Sequence, residues 1–301
     1  MSSYCFDADL RPHQKEGIEF MYGCISRVRK LPNNGAGAIL ADEMGLGKSL
    51  QALGLIWTTL KQGPAGVPLV KKAIIVCPST LVQNWEKETK KWLGPERLRT
   101  QVILGEKTAK CQQIVGEFMS QNVDHVLIIS YESLRKHVKH LSSFRNGLLI
   151  CDEGHRLKAA LGNQTTSCLE SIDCARRIIL TGTPVQNNLD EYYAMCNFVN
   201  PGSLSSLSSF RSVFINPIAA SREPGATEEE IKLGEQRAAE LSRLTSTFVL
   251  RRTSKILEKL LPPKTELYVF CPLRPKQNEA YNQIVDEVKG SFSKLSKAKA
   301  G

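Results

Sequence analysis

No stretch of this chain is apolar and long enough to cross a bilayer. The amino-terminal residues, which include Asp7 and Asp9, hold no apolar signal core. A membrane-spanning protein and a secretory leader are therefore not expected. Nine cysteines are present, but no two stand in C-x-x-C spacing. That argues against a zinc site or a disulfide framework. Cys77, Cys151 and Cys271 sit in apolar runs and read as reduced, buried thiols. No internal repeat is evident. Acid is in deficit: 30 Asp and Glu face 40 Lys and Arg, a net charge of +10. The imbalance favours an anionic partner such as nucleic acid, nucleotide or an acidic membrane. The plain alternative is a coat of solvated lysines. A length of 301 residues at 42% apolar content allows one large domain or two smaller ones. The whole fits a soluble intracellular protein of cytosol or nucleus.

What is there begins with one loop. The apolar run Ala38-Ile39-Leu40-Ala41 is followed by Asp42-Glu43-Met44-Gly45-Leu46-Gly47-Lys48-Ser49. A buried strand, a glycine-rich loop and a Lys-Ser opening a helix form a cradle for nucleoside-triphosphate phosphates. Glycines let backbone N–H groups turn toward an anion, and the helix start adds its positive end. Lys48 can reach the β and γ phosphates, and the Ser49 hydroxyl can ligate Mg²⁺. Asp42 stands where the general pattern has glycine. A simple glycine turn before a helix is the bland alternative.

Short apolar runs alternate with helical spacing along the first two thirds. Strands are expected at Gly37–Ala41, Ala73–Cys77, Gln101–Leu104, His125–Ser130, Leu148–Asp152 and Arg177–Thr181. Helices are expected at Gly47–Lys61, Thr80–Trp92, Thr108–Gln121, Tyr131–His140 and Gln164–Ile172. This predicts an α/β fold with a largely parallel, doubly wound sheet covered on both faces. Ligands in such sheets bind at the carboxyl ends of strands. From Asn188 onward the pattern is helical. Pro262-Pro263 marks a boundary, followed by a strand-like run at Glu266–Cys271 and a helix at Lys276–Val288. Lys289–Gly301 carries four lysines and no acid and is expected to be disordered.

A second motif closes the strand Leu148–Cys151 with Asp152-Glu153-Gly154-His155. Adjacent acids at the tip of an apolar strand are costly unless they have a task. In phosphate chemistry Asp152 can hold Mg²⁺, and Glu153 can orient and deprotonate water. We expect one triphosphate and its cation to sit between the Lys48 turn and the Asp152–Glu153 tip, atop neighbouring strands.

These residues, with Leu180-Thr181-Gly182-Thr183-Pro184-Val185-Gln186-Asn187, resemble motifs I, II and III of helicase superfamily two, in the variety of the SWI/SNF-type DNA translocases. Leu10-Arg11-Pro12-His13-Gln14 resembles that family's Q motif, and Cys77–Trp85 its motif Ia. Phe248–Thr253, with Leu261–Lys264, resembles the passage toward a second lobe. Asp152–Lys158 and the stretch from Ser221 to Leu241 look like the recombinational-repair branch, the Rad fifty-four type, B-like. The resemblance covers almost the whole chain.

It implies a RecA-like first helicase lobe at 1–200, a helical protrusion or brace at 201–262, and the start of a second lobe with a basic tail at 263–301. It implies ATP and Mg²⁺ as cofactors, held by Gln14 and by the loop Asp42, Glu43, Met44, Gly45, Leu46, Gly47, Lys48 and Ser49. Ser49 and Asp152 would ligate the metal. Lys48, Asp152 and Glu153 would be catalytic, within the box Asp152, Glu153, Gly154 and His155. Gln14 would read the adenine edge, though it could simply cap a helix. Ser79 and Thr80 would meet the DNA backbone, with a helix N-cap as the plain alternative. Thr181 and Thr183 would link nucleotide to DNA. The implied partner is double-stranded DNA in the nucleus, with a strand-exchange recombinase and nucleosomes as further candidates, and no membrane.

The family's motor needs a second lobe with transition-state arginines. No Gln-x-x-Gly-Arg-x-x-Arg pattern occurs here, and Arg251-Arg252 is expected to brace the junction between lobes. The chain therefore reads as a truncated motor that binds Mg-ATP weakly and hydrolyses it slowly, with 265–288 mobile or self-associating. Two other readings stand: an RNA helicase lobe, and a non-catalytic fragment that competes for partners of a full-length motor.

Overall fold

A computed structural model describes residues 10–105, 108–121, 123, 125–154, 164–182, 188–257, 262 and 265–298. It divides into two compact units, Met1–Ile256 and Leu257–Gly301. The first unit is built on a seven-stranded sheet in the order β3-β4-β2-β5-β6-β1-β7. The strands are β1 Gly37–Leu40, β2 Lys72–Cys77, β3 Thr100–Ile103, β4 Val126–Ser130, β5 Gly147–Asp152, β6 Arg176–Leu180 and β7 Val249–Leu250. Every pairing is parallel. All carboxyl ends therefore lie along one edge. Six of the seven strands match the apolar runs in the sequence to within about a residue of each end.

The physical basis is visible in the burial. β1, β2, β4 and β5 are buried at every position, although successive side chains point to opposite faces. Such strands need cover on both faces, which is the doubly wound α/β architecture of RecA-like type. The covering helices include α1 Pro12–Ile25, α2 Lys48–Lys61, α3 Val82–Trp92, α4 Thr108–Ser120, α5 Tyr131–His137, α6 Gln164–Glu170 and α7 Leu189–Val199. Just past α7, the Asn200 side chain accepts from the Gly37 N–H and donates to the Gly37 carbonyl, both at 3.0 Å. It thereby seals the amino end of β1. Short helical turns over 207–220 and the long helix α8, Glu228–Thr245, follow. α8 opens on a capping box in which the Thr227 hydroxyl accepts from the Glu230 N–H and Glu230 accepts from the Thr227 N–H.

Two expectations fail in the second unit. Glu266–Cys271 forms no strand; Leu267, Tyr268, Val269 and Phe270 are strongly exposed. A run of β-favouring residues makes a strand only where another strand offers backbone partners. The tail also differs from the expected disorder: helix α9 runs Pro275–Ala298, through most of the lysine-rich stretch. That stretch has no proline, and lysine, leucine and alanine all favour helix.

Candidate functional site

The loop between β1 and α2 turns through two left-handed glycines, Gly45 at φ 87° and Gly47 at φ 81°. Only glycine takes these values without strain. Gly47 is also the residue from which α2 starts, so the loop leads straight into a helix N-terminus. Lys48 folds back onto its own loop, donating to the Asp42 carbonyl at 2.8 Å and more weakly to that of Glu43 at 3.4 Å. Leu46 and Asp42 are buried, Ser49 is half-buried and Met44 is exposed.

Beneath the loop lies a polar frame. The Leu46 carbonyl accepts from Gln14 Nε2 at 3.3 Å and from Gln51 Nε2 at 3.4 Å, and contacts His13 Nε2 at 3.2 Å. Gln14 Oε1 accepts from the Arg11 N–H at 3.0 Å, at the start of α1. Gln14 thus caps its helix and anchors the phosphate loop, and its amide is committed to both in this structure. The Asp42 carboxylate, fully buried, receives a two-pronged contact from Arg252, Nε to Oδ1 at 2.9 Å and Nη2 to Oδ2 at 2.6 Å. Gln51 Nε2 adds a bond to Oδ2 at 3.1 Å. Burial works against the Arg252 charge, but the bonds and attraction of Asp42 and Glu16 hold its pKa above the ordinary arginine value. Asp42 in place of glycine is thereby explained: it is half of a buried ion pair. Removing one partner of such a pair typically costs about 3–5 kcal/mol. Arg252 therefore sits under the loop at 42–49, within its own unit.

The second acid motif caps β5. Trp85, from α3, donates its indole N–H to Asp152 Oδ2 at 2.8 Å, and Tyr131 donates to the Asp152 carbonyl at 2.8 Å. The Glu153 N–H donates to Asp152 Oδ1 at 3.0 Å. Burial raises the Asp152 pKa; the Trp85 bond opposes this, the nearby Glu153 charge adds to it, and the Lys48 ammonium opposes it. Lys48 and Asp152 are thus within electrostatic reach. Glu153 itself adopts a left-handed φ of 52°, unusual for a side-chain-bearing residue. Behind it, a Cβ on Gly154 would lie 2.3 Å from Ile179 Cγ2, so only glycine fits where β5 passes β6. Burial, with Asp152 adding, pushes the Cys77 thiol up to about 12, and burial does the same for Cys151. These thiols stay protonated.

The two motifs do not crown adjacent strands as expected. β6 runs between β1 and β5, and its end supplies Thr181, buried, whose N–H donates to the Leu40 carbonyl at 3.0 Å. The Lys48 amino group lies over Gly182, 3.8 Å from where a Cβ would stand. One cleft is therefore shared across three strand ends. Ser79 and Thr80 form a short 3₁₀ turn at the end of β2, exposed, and neither caps α3. His155 and Thr183 lie outside the described residues. Sequence reading missed Trp85 and Arg252 as site residues. The sequence marks Trp85 only as the last residue of the stretch resembling motif Ia; the structure places it, with Val82 and Thr89, on the buried stripe of an otherwise polar helix.

The residues present fit Mg-ATP. Gly45 is exposed, and nothing lies within 4 Å of where its Cβ would be. Lys48 is held only by carbonyls, which a phosphate would outcompete as a charged partner. Among the described residues there is no cluster of three or more metal-ligating side chains. One carboxylate and one hydroxyl suit Mg²⁺, which takes most of its shell from phosphate and water. A cavity of about 570 Å³ between Arg27, Asn33, Asp173 and Arg177 lies at the opposite, amino-terminal edge of the sheet and shares no residue with this cleft.

The SNF2-related domain model matches residues 13–300. The human DNA repair and recombination protein RAD54B is 52% identical over 92% of this chain and 30% of its own length. The Arabidopsis thaliana protein CHROMATIN REMODELING 25 is 46% identical, also over 92% of this chain and 30% of its own length. The chain thus spans 30% of the length of these relatives. Among solved structures, the Sulfolobus solfataricus SWI2/SNF2 ATPase core in complex with dsDNA superposes with a TM-score of 0.67 at 26% identity, covering 98% of this chain and 55% of that one.

Proposed function

This chain belongs to the SNF2-related domain family, and on that premise we propose that it is the ATP-binding lobe of a double-stranded-DNA-dependent ATPase acting in homologous-recombination repair and chromatin remodelling in the nucleus. The observation that supports this best is the place of Lys48, whose amino group lies over Gly182 at the end of β6, the strand that runs between β1 and the β5 that ends in Asp152. Residues 1–200 carry the nucleotide machinery, 201–262 a helical brace, and 263–301 the beginning of a second lobe.

In this reading Gly45 and Gly47 free backbone N–H groups for phosphate oxygens, and Lys48 leaves its carbonyl partners to meet the β and γ phosphates. Ser49 and Asp152 would hold Mg²⁺, which would supply charge neutralisation to the phosphate oxygens. Glu153 orients the attacking water and takes its proton. Gln14 exchanges its internal bonds for the adenine edge. Ser79 and Thr80, exposed at the end of β2, meet DNA phosphates, and Thr181 and Thr183 couple them to the cleft. Phosphate contacts carry no base information, which suits movement along any sequence. A strand-exchange recombinase and nucleosomes are the further partners proposed.

For the 301-residue polypeptide itself, slow turnover is proposed. The sequence holds no Gln-x-x-Gly-Arg-x-x-Arg motif, and lack of an arginine finger typically costs about 10³–10⁵ in rate. The test uses a fluorescent ATP analogue with Mg²⁺, and steady-state hydrolysis with duplex DNA or RNA. Binding that is abolished by Lys48→Ala supports the reading, as does a trace hydrolysis stimulated by duplex alone. Binding unaffected by Lys48→Ala, or stimulation by RNA alone, sinks it.

A further inference from the structure

The frame beneath the phosphate loop reaches across the chain. Arg252 follows β7, and Asp42 follows β1; 210 residues separate them. The fork on Asp42 is only part of the contact. Arg252 Nη2 also donates to Gln51 Oε1 at 2.9 Å, and Nη1 to Glu16 Oε2 at 3.1 Å and to the His13 carbonyl. The next loop residue is tied to the same segment: the Glu43 N–H donates to the Arg252 carbonyl at 3.0 Å, and Glu43 Oε2 accepts from the Ser254 N–H at 2.7 Å. The first two residues of the loop are thus both fastened to residues 252–254. Arg251, its neighbour, is exposed and makes none of these bonds.

The chemistry of the pair is selective. A fully buried carboxylate at position 42 requires a partner. A guanidinium fork meets both oxygens in one plane, which a lysine ammonium does not. The strand that delivers Arg252 has two residues and pairs only with β1. Its hold on the loop therefore depends on short, directional bonds that a small displacement of 251–256 would break.

We propose that Arg252 is a positioning residue for the phosphate loop, a latch that fixes Asp42 and Glu43 from the far end of the unit and so sets the loop's readiness for nucleotide. This rests on the reading of residues 42–49 as the phosphate loop. Any force on the segment after β7 would reach that loop through Asp42 and Glu43 before it reached the sheet.

The test is hydrogen–deuterium exchange of the full chain without nucleotide, followed by titration with the fluorescent ATP analogue and Mg²⁺. Arg252→Lys keeps the charge and loses the fork. It is expected to speed exchange of the 43–49 amides about tenfold, the equivalent of one charge-assisted hydrogen bond, while β4 and β5 exchange as before. The dissociation constant for the analogue rises by a similar factor. In an Asp42→Gly background, where the fork has lost its carboxylate and keeps only Gln51, Glu16 and the His13 carbonyl, Arg252→Lys has a clearly smaller effect on both quantities. Glu43→Ala, which removes only the Ser254 tie, gives a smaller effect in the same direction. Three results overturn the latch: loop exchange unchanged in Arg252→Lys, exchange of β4 and β5 accelerated equally, or the same loss in both backgrounds. If the wild type binds no nucleotide but its loop exchange responds as described, the ATPase reading fails and the latch stands.

Discussion

Replacing Trp85 with Phe tests whether the indole bond favours the charged form of Asp152. The substitution keeps most of the buried ring and removes the N–H that donates to Asp152 Oδ2 at 2.8 Å. A buried hydrogen bond to a charged group contributes about 1.5–3 kcal/mol. The smaller ring adds about 1 kcal/mol of lost packing. The expected destabilisation is therefore about 2–4 kcal/mol. It should depend on pH. Burial holds the folded Asp152 pKa above the ordinary aspartate value, and the indole bond pulls it back. A carboxyl with a raised folded pKa contributes stability that is fully present below the unfolded pKa and is lost as pH rises through the folded one. Without the indole the folded pKa climbs further, so the mutant loses more than the wild type on the alkaline side. Urea denaturation followed by circular dichroism at about pH 3.5, below the ordinary aspartate pKa, and at about pH 8 reads both terms. The defect should be larger at the higher pH, and Asp152→Asn should remove most of that difference. A loss below about 0.5 kcal/mol, or one equal at the two pH values, would refute the claim that Trp85 keeps the carboxylate charged.

Asp152→Asn alone removes a desolvated charge and keeps an acceptor for Trp85, so it should stabilise the nucleotide-free chain, each kcal/mol raising the thermal midpoint by about 2–4 °C. Differential scanning fluorimetry should also show that it no longer responds to Mg-ATP. Gly154→Ala sets a methyl 2.3 Å from Ile179 Cγ2 and should cost about 1–3 kcal/mol in urea melts. Asn200→Ala strips both 3.0 Å partners from the Gly37 main chain and should cost about 2–4 kcal/mol by the same measurement. A neutral result there would mean that water replaces the amide at the foot of β1.

The strands were legible because a parallel sheet is buried on both faces, so β2, β4 and β5 appear as unbroken apolar runs between turn residues. β7 escaped notice because two residues, Val249 and Leu250, carry no periodicity. The order of the strands was not readable. Apolar runs say that a residue is inside but not which strand is beside it, so β6 entered unexpectedly between β1 and β5. Lys48 and Asp152 were legible as motif positions, and the geometry brings them to one cleft. The partners of Asp42 and Asp152 were not, because Arg252 and Trp85 meet them only through the fold, 210 and 67 positions away. Glu266–Cys271 shows the converse error. Its apolar, β-favouring run is real, but a strand is a property of a pair.

The placement of β1 has a consequence for how the chain is made. Its two neighbours, β6 and β7, come from late in the sequence, and Leu40 pairs with Leu180 on one side and Leu250 on the other. At roughly 5–20 residues per second on the ribosome, the 210 residues from Asp42 to Arg252 take about 10–40 s to emerge. Until β6 emerges the segment Gly37–Leu40 is a nascent apolar strip with both edges bare, and its β7 edge stays bare for the whole of that time, the kind of surface that chaperones capture and that aggregates when they do not. The loop at 42–49, synthesised 210 residues ahead of Arg252, is then among the last parts of the site to be finished.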